Sequence, residues 1–269
     1  MSSSNPVQLP PGFEVRKLEQ THCTWAQALI THSNVFLSPF WSVVYPEKKV
    51  ERAYKTFVGC DYVCSFSIDS GYSYGVFDTT YKFKNPESAA EDGKLYWDPK
   101  EVDTATEELL LKQMDFPLVS VALAYDPAVT PMDVSKMGPL IEALPLFSTM
   151  IGGLESLDPR DPEGRKPKTP KEVLYRSSTI TRADYMGRKL SKCLAHWLMK
   201  EVAADGVQSI QIDTAHPAVD HVWMNPPAPF TSVRLATLDT AVYETEVDGK
   251  AVKPFVPCGI LCTRVLATF

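Results

Sequence analysis

In the first 125 residues, segments with an apolar side chain at every second position, as in strands, are interspersed with segments that have one at every third or fourth position, as in helices. Residues 13–18, Phe-Glu-Val-Arg-Lys-Leu, alternate apolar and polar side chains, as a half-buried strand does. In residues 47–58 apolar side chains recur every three or four positions, which predicts a helix with one buried stripe. The predicted elements of this part are a strand at 13–18, helices at 24–32 and 47–58, strands at 65–68 and 72–77, and a helical piece at 104–111.

The middle of the chain holds its clearest buried strand and its most irregular segment. Residues 117–125, Pro-Leu-Val-Ser-Val-Ala-Leu-Ala-Tyr, are apolar almost without interruption, which is typical of a strand covered on both faces. From Asp126 to Lys171 lie eight of the chain's 22 prolines. This segment predicts a short helix near 140–150 and then an exposed, proline-rich connector at about 151–172 rather than a domain boundary.

The last third of the chain has the most regular pattern. Residues 187–204 read as an amphipathic helix that Asp205-Gly206 closes. In order, the predicted elements are a strand at 173–181, the helix at 187–204, a strand at 207–213, a helical piece at 218–223, and strands at 230–236 and 257–266. Strands and helices mix without strict alternation, so the sequence predicts an α/β or α+β fold with one sheet, formed by a single domain over residues 1–269.

Composition excludes several classes of protein. The 269 residues carry 27 Lys and Arg against 33 Asp and Glu, a net charge of −6, which offers no general attraction for nucleic acid. No apolar run approaches the roughly 20 residues of a membrane span, and the first residues do not form a secretory signal. We therefore expect a cytoplasmic monomer or homodimer that binds neither nucleic acid nor membranes.

Four of the six cysteines form two pairs with three residues between the partners, Cys60 with Cys64 and Cys258 with Cys262. Together the pairs could supply four zinc ligands, but structural zinc sites more often leave two residues between paired cysteines. A free, buried cysteine behaves as a small apolar residue, and Cys258 and Cys262 stand in a stretch with a strand pattern. We therefore expect buried free thiols and no metal site.

The order of elements over residues 173–230 is similar to the core of the GNAT family of acyl-CoA N-acyltransferases. A strand leads into a turn with Gly187, a long amphipathic helix, Gly206, a second strand and a short helix with an aromatic end. In that family the turn reads Arg/Gln-x-x-Gly-x-Gly/Ala, and backbone N–H groups at the helix start hold the pyrophosphate of coenzyme A. The chain resembles a divergent, fungal-type member. The resemblance implies a mixed central sheet flanked by helices, and an acyl-CoA such as acetyl-CoA as co-substrate.

The sequence departs from the family's motif at the positions that bind the cofactor and carry out the reaction. The three fixed positions of the turn fall on Met186, Lys189 and Ser191, none of which is the usual residue. Downstream, His216 stands where the family usually has asparagine, and Trp223 where a tyrosine often protonates the departing thiolate. The cofactor-binding residues that the resemblance implies are Gly187, Arg188, Lys189, Ser191 and Lys192.

Three cations, Arg188, Lys189 and Lys192, cluster at the start of this predicted helix. Each opposes the positive end of the helix dipole by ~0.3–1 kcal/mol, so their presence in an acidic chain favours a bound anion, such as the phosphates of coenzyme A. A solvated basic face is the alternative. The stem of Lys189 is also long enough to fill the space that a glycine would leave for a phosphate, and in that case the fold is kept and the cofactor is lost.

The residues after the predicted strand at 207–213 supply the acid–base candidates. His216, Asp220 and His221 follow its carboxyl end, where open α/β sheets usually place ligands. Histidine titrates near neutrality and could deprotonate an acceptor, with Asp213 or Asp220 to orient it. Tyr185 is a further hydroxyl candidate at the turn. The alternatives are a turn at His216, a surface position for His221 and a packing role for Tyr185.

Aromatic residues are the candidates for binding the acceptor, namely Trp223 and, within an aromatic segment at 36–45, Trp41.

One function that fits is transfer of an acyl group from acyl-CoA to an amine or hydroxyl of a small molecule. That acceptor enters near Trp41 and Trp223, with His216 or His221 as base. A second keeps the fold without coenzyme A and performs His/Asp chemistry, such as isomerisation, cyclisation or decarboxylation, on a secondary metabolite. A non-catalytic binding protein is the third.

Overall fold

The computed structural model describes residues 8–269 and orders them into a central sheet with helices on both faces. The helices are α1 Cys23–His32, α2 Trp41–Val44, α3 Lys49–Gly59, α4 Asp61–Asp69, α5 Pro86–Ala90, α6 Glu107–Lys112, α7 Gly138–Ala143, α8 Phe147–Leu157, α9 Leu190–Ala204 and α10 Pro217–Met224. The strands are β1 Phe13–Lys17, β2 Tyr74–Asp78, β3 Lys94–Leu95, β4 Met114–Asp115, β5 Leu118–Tyr125, β6 Leu174–Thr181, β7 Ser209–Thr214, β8 Thr231–Asp239, β9 Thr245–Val247, β10 Lys250–Val252 and β11 Leu261–Thr268.

Seven of these strands form the central sheet, in the order β1-β2-β5-β6-β7-β11-β8. Neighbouring strands run antiparallel except β6 and β7, which are parallel. The long helix α9 is the crossover that a parallel pair requires. A mixed sheet flanked by helices confirms the predicted fold class.

The parallel pair β6 and β7 separates soon after it forms. Only Leu174–Arg176 pairs with Ile210–Ile212, whereas β6 continues to Thr181. Residues 177–181 are partly exposed although β6 is the middle strand of the sheet. We call the opening between the carboxyl-terminal parts of β6 and β7 the fork.

The two faces of the sheet carry separate cores, because side chains along a strand point alternately to either side. In β2, Val76 faces α9 and the next residue, Phe77, faces α1. The face covered by α1, α4, α7 and α8 buries Leu29, Phe40, Phe77, Phe116 and Leu154, among others. The face covered by α9 and α10 buries Leu174, Leu190, Leu194, Leu198 and Trp223. We call them the α1 face and the α9 face.

Two helical segments differ from their predictions. Residues 65–68, predicted as a strand, lie in α4, whose buried residues Cys64, Ser67 and Ile68 follow helical spacing. Four residues of alternation are too few to separate a strand from a helix. The helix predicted at 140–150 is two helices, α7 and α8, with Pro145 between them, and α8 runs to Leu157, inside the predicted connector.

The connector is exposed as predicted over residues 159–170, most of which are exposed and belong to no helix or strand. It is anchored at Asp158, whose carboxylate is fully buried. That carboxylate lies 2.7 Å from Arg160 Nη2, 3.4 Å from Arg264 Nη1 and 3.7 Å from Arg165 Nη1. Arg264 of β11 also donates to Asp213 of β7 at 2.7 Å. A buried ion cluster therefore ties the connector to two strands of the sheet.

Within residues 8–269 no single helix is both long and apolar enough to cross a bilayer. In that range two segments, Val134–Ala143 and Phe147–Leu157, reach the required length and hydropathy only when taken together, and they are bent by 120°.

Residues 8–269 contain no group of three or more His, Cys, Asp or Glu side chains placed to hold a metal ion. The cysteines are free thiols; all except Cys258 are buried, and burial raises the pKa of Cys60 to about 12.

We expect Asp158→Asn to lower the free energy of unfolding by about 3–5 kcal/mol, because buried guanidinium groups lose their shared carboxylate. Burial alone raises the pKa of Asp158, but Arg160 and Arg264 outweigh this effect and hold that pKa well below its usual range. The wild-type protein should therefore lose this stability as the pH falls from about 4 through the lower native pKa, and the variant should lack that part of the acid dependence.

Urea titrations followed by circular dichroism at several pH values measure both effects. Glu163→Gln is the matched control, since Glu163 pairs only with exposed Lys166 in the same connector. A loss for Asp158→Asn no larger than the control's would contradict the ionic anchor.

Candidate functional site

The turn that joins β6 to α9 has an unusual backbone. After Thr181 the chain forms a short 3-10 turn at Ala183–Tyr185, and α9 begins at Leu190, three residues later than predicted. Gly187 and Lys189 both have left-handed backbones, with φ of +78° and +62°. Glycine adopts this conformation freely, whereas at Lys189 it costs roughly 1–2 kcal/mol. Strain of this kind is typical of turns that bind a ligand.

The backbone donors of this turn are free. In the part of the chain that the structure describes, no atom accepts a hydrogen bond from the N–H groups of residues 187–192. A bulkier residue at Gly187 would meet no other atom, so the backbone there is open to approach. Free amides at the start of a 15-residue helix, next to the positive end of its dipole, have the geometry that favours a bound anion.

The predicted cations surround these amides without carboxylate partners. Among the described residues, no Asp or Glu lies within ion-pairing distance of Arg188, Lys189 or Lys192. The Arg188 guanidinium lies 4.6 Å from the centre of the Tyr185 ring. The structure thus brings the five predicted cofactor-binding residues, Ser191 included, into one exposed turn.

Tyr185 fastens this turn to the sheet. Its hydroxyl donates to Asp78 Oδ2 at 2.7 Å, at the end of β2. Burial and this carboxylate raise the pKa of Tyr185 well above its usual range. A phenol that stays protonated and bonded to Asp78 holds the turn in place, so the geometry lends no support to the predicted catalytic role.

His216 lies on the other arm of the fork, where it caps α10. Its Nδ1 accepts a hydrogen bond from the Ala218 N–H at 3.1 Å, and burial lowers its pKa. A neutral imidazole that accepts at Nδ1 carries its proton on Nε2. His216 therefore offers a donor at Nε2 rather than the lone pair of a base.

The predicted grouping of His216 with Asp220 and His221 is not found. The Asp220 carboxylate accepts from Arg234 and from the Thr263 hydroxyl, both at 2.7 Å, so it points to β8 and β11 and away from β6. His221 is exposed on α10, beside Asn225. His216 is the N-cap of α10 with an extended backbone, and its ring is used by the Ala218 N–H. Asp220 is held by β8 and β11 and His221 is exposed, so the three side chains do not form one group.

The two tryptophans predicted to line one acceptor entrance lie on opposite faces of the sheet. Trp41 is buried on the α1 face, beside Phe40, Tyr45 and Phe147. Trp223 is fully buried on the α9 face. They cannot border one pocket in this arrangement.

Sequence reasoning missed Arg176, the last residue of β6 that pairs with β7. It is 8% exposed, and its guanidinium carbon lies 5.7 Å from the centre of the Trp223 ring. Its Nη2 donates to the Ser178 carbonyl at 2.8 Å and to the Thr179 hydroxyl at 2.6 Å, so the side chain extends along β6 into the fork. The available signal was a single arginine inside the strand pattern at 173–181.

Neither protein-family models nor curated proteins match this sequence. Solved structures share its fold. The C-terminal condensation domain of Ebony, in complex with beta-alanyl-dopamine, has a TM-score of 0.62 at 13% identity and covers 96% of this chain and 99% of that one. A putative arylalkylamine N-acetyltransferase 7 from the yellow fever mosquito scores 0.60 at 10% identity, covering 94% and 86%. Arylalkylamine N-acetyltransferase 2 from Aedes aegypti scores 0.55 at 10% identity, covering 95% and 98%.

At these identities the likeness shows the fold alone. The chain has the GNAT-like fold of acetyltransferases, which confirms what the order of elements over residues 173–230 implied. In that arrangement, the fork and the free amides of residues 187–192 both lie at the carboxyl-terminal end of β6.

We expect His216→Ala to destabilise the protein by about 1 kcal/mol through loss of the cap of α10, and His216→Asn to recover most of that loss. Because the native pKa of His216 is lowered, the unfolded chain takes up a proton first as the pH falls below about 6.5, and stability declines from there. Denaturant titrations and a nitrogen-15 spectrum of the histidines measure these effects. A neutral form protonated on Nδ1 would contradict the assignment.

Proposed function

We propose that the chain is an acyltransferase that takes its acyl group from an acyl-CoA, such as acetyl-CoA, and transfers it to the amine of a small molecule. The observation that carries this proposal is the set of free N–H groups at residues 187–192, at the mouth of an open fork. Both features lie at the carboxyl-terminal end of β6, so one extended, phosphorylated donor can occupy them together.

The residues of the turn and of the fork suit both the phosphates and the extended arm of an acyl-CoA. The amides of residues 187–192 and the unpaired charges of Arg188, Lys189 and Lys192 suit a pyrophosphate. The partly exposed backbone of residues 177–181, freed from β7, offers hydrogen bonds to the amides of an extended arm. The thioester of such a donor then lies toward the closed end of the fork.

For an amine to attack a thioester directly, the two reactants must be aligned and the charge that develops in the transition state must be stabilised. No covalent intermediate on the protein is required. The chain's contribution is to hold the donor straight in the fork. His216, with its proton on Nε2, can donate a hydrogen bond from the β7 arm. The acceptor's proton leaves to water.

An arylalkylamine is the acceptor class that we favour. Two of the similar structures are arylalkylamine N-acetyltransferases by name, and a third was solved with the aromatic amide beta-alanyl-dopamine. We place the acceptor on the α1 face, because α9 and the donor lie on the other. At this face Ser177 of β6 contacts Ser67 of α4, with 2.7 Å between their hydroxyl oxygens.

A second candidate function is favoured by one observation. Arg176 already occupies acceptor atoms of Ser178 and Thr179 inside the fork, where a donor arm would bind. If that side chain closes the fork permanently, the fold serves a reaction without coenzyme A. Binding measurements separate the two functions.

Calorimetric titration with acetyl-CoA should show saturable binding with a micromolar Kd. Lys189→Glu should weaken it about tenfold or more, equal to ~1.4 kcal/mol, by placing a negative charge at the amides. Lys189→Gly should weaken it less, because glycine keeps the left-handed backbone and removes only the cation.

Lys200→Glu, on the exposed side of the same helix, is the matched control and should bind as the wild type does. Absence of heat and of a thermal shift with the wild-type protein would contradict the acyl-CoA proposal and favour the second function.

A further inference from the structure

Arg176 is a buried charge without a counter-charge. Among the described residues, no carboxylate contacts it, and its Nε and Nη1 have no hydrogen-bond acceptor. Burial lowers its pKa, but the guanidinium stays charged near neutrality. The indole Nε1 of Trp223, across from it, also lacks an acceptor among these residues.

An unpaired guanidinium is costly inside a protein. Removing a charge from water costs several kcal/mol unless a partner and hydrogen bonds compensate for it. Neighbouring buried arginines obey this rule: Arg264 pairs with Asp158 and Asp213, and Arg182 pairs with Asp184. Arg176 is the exception among the buried arginines that the structure describes. A ligand that becomes negatively charged at this point would compensate for the cost.

The position of Arg176 in the fork indicates which part of a bound acyl-CoA would become negatively charged beside it. It stands at the closed end of the fork, where the pairing of β6 with β7 stops, and its guanidinium reaches toward Ser178 and Thr179. The phosphate-binding amides are at the open end, beyond Thr181. A donor held by its phosphates at the open end therefore brings its thioester to the closed end.

We propose that Arg176 stabilises the thiolate that departs when the acyl group is transferred, through its unpaired Nε–H and Nη1–H groups. This inference rests on the proposed acyl-CoA donor. The acceptor nitrogen forms the bond to the acyl carbon, the carbon–sulfur bond breaks, and its electron pair stays on sulfur. The nitrogen's proton goes to water, and Arg176 stays charged throughout.

This role removes the need for a proton donor at the sulfur. Trp223, which faces Arg176, has no acidic proton to supply. An ion pair with a guanidinium stabilises a thiolate directly and lowers the pKa of the thiol. The chain therefore replaces an acid with a fixed positive charge.

The test is the pH dependence of product binding, which needs no turnover. Coenzyme A and desulfo-coenzyme A, which lacks the thiol, are titrated separately by calorimetry between about pH 7 and about pH 8.5. The other titratable groups near this face keep one form in that range. Burial lowers the pKa values of His196 on α9 and His216 on α10, and raises those of Cys193 on α9 and Tyr185 in the turn.

With the wild-type protein, the ratio of the affinity for coenzyme A to that for desulfo-coenzyme A should rise about fivefold or more across this range, as the bound thiol ionises below its free pKa of about 8.5. With Arg176→Gln the ratio should stay flat. Arg176→Lys, which keeps the charge without the planar donors, should recover part of the rise. Arg16→Gln, an exposed arginine of β1, should behave as the wild type does.

The outcomes separate this inference from the proposed function. Binding of both compounds with a flat ratio in the wild-type protein would overturn the role of Arg176 and leave the acyl-CoA proposal standing, and this result needs no variant to fold. An unchanged rise in Arg176→Gln would also overturn it. Binding of neither compound would overturn the acyl-CoA proposal, and this inference with it.

Discussion

The early end of pairing between β6 and β7 is the constraint on which the rest of the site depends. After Arg176 and Ile212 the two parallel strands no longer share hydrogen bonds, so the middle of a seven-stranded sheet exposes backbone along residues 177–181. Unpaired strand edges are normally costly or covered. Here the sheet stays intact because β5 pairs with β6 on one side and β11 with β7 on the other.

Unpaired positive charges of the chain lie along this opening. The chain is acidic overall, yet at the end of β6 it places unpaired cations beside free amides, and at the start of the fork a buried guanidinium. Its other buried arginines are paired within the fold, Arg264 with Asp158 and Asp213, and Arg182 with Asp184. The two sets of cations therefore differ in whether the fold itself supplies a counter-charge.

Much of the framework follows from local patterns. The buried strand at 117–125, the strand at 173–181 and the amphipathic helix that follows it all lie close to their predicted bounds, because long runs with one period leave little ambiguity. The strand predicted at 65–68 failed because four residues of alternation also fit a helix. The predicted connector begins only after α8 ends at Leu157, and its composition says nothing about the distant Arg264 that contacts the buried Asp158.

By itself, then, the sequence determined the order of elements, the turn at Gly187 with its cations, and the mixed fold class. Only the tertiary structure decided which candidates share a site. It separated Trp41 from Trp223 by the thickness of the sheet, turned Asp220 toward Arg234 and Thr263, and used the Nδ1 lone pair of His216 in a helix cap. It also revealed Arg176 as a buried charge without a partner, since burial and a missing counter-charge are properties of the packed chain and cannot be read from spacing along it.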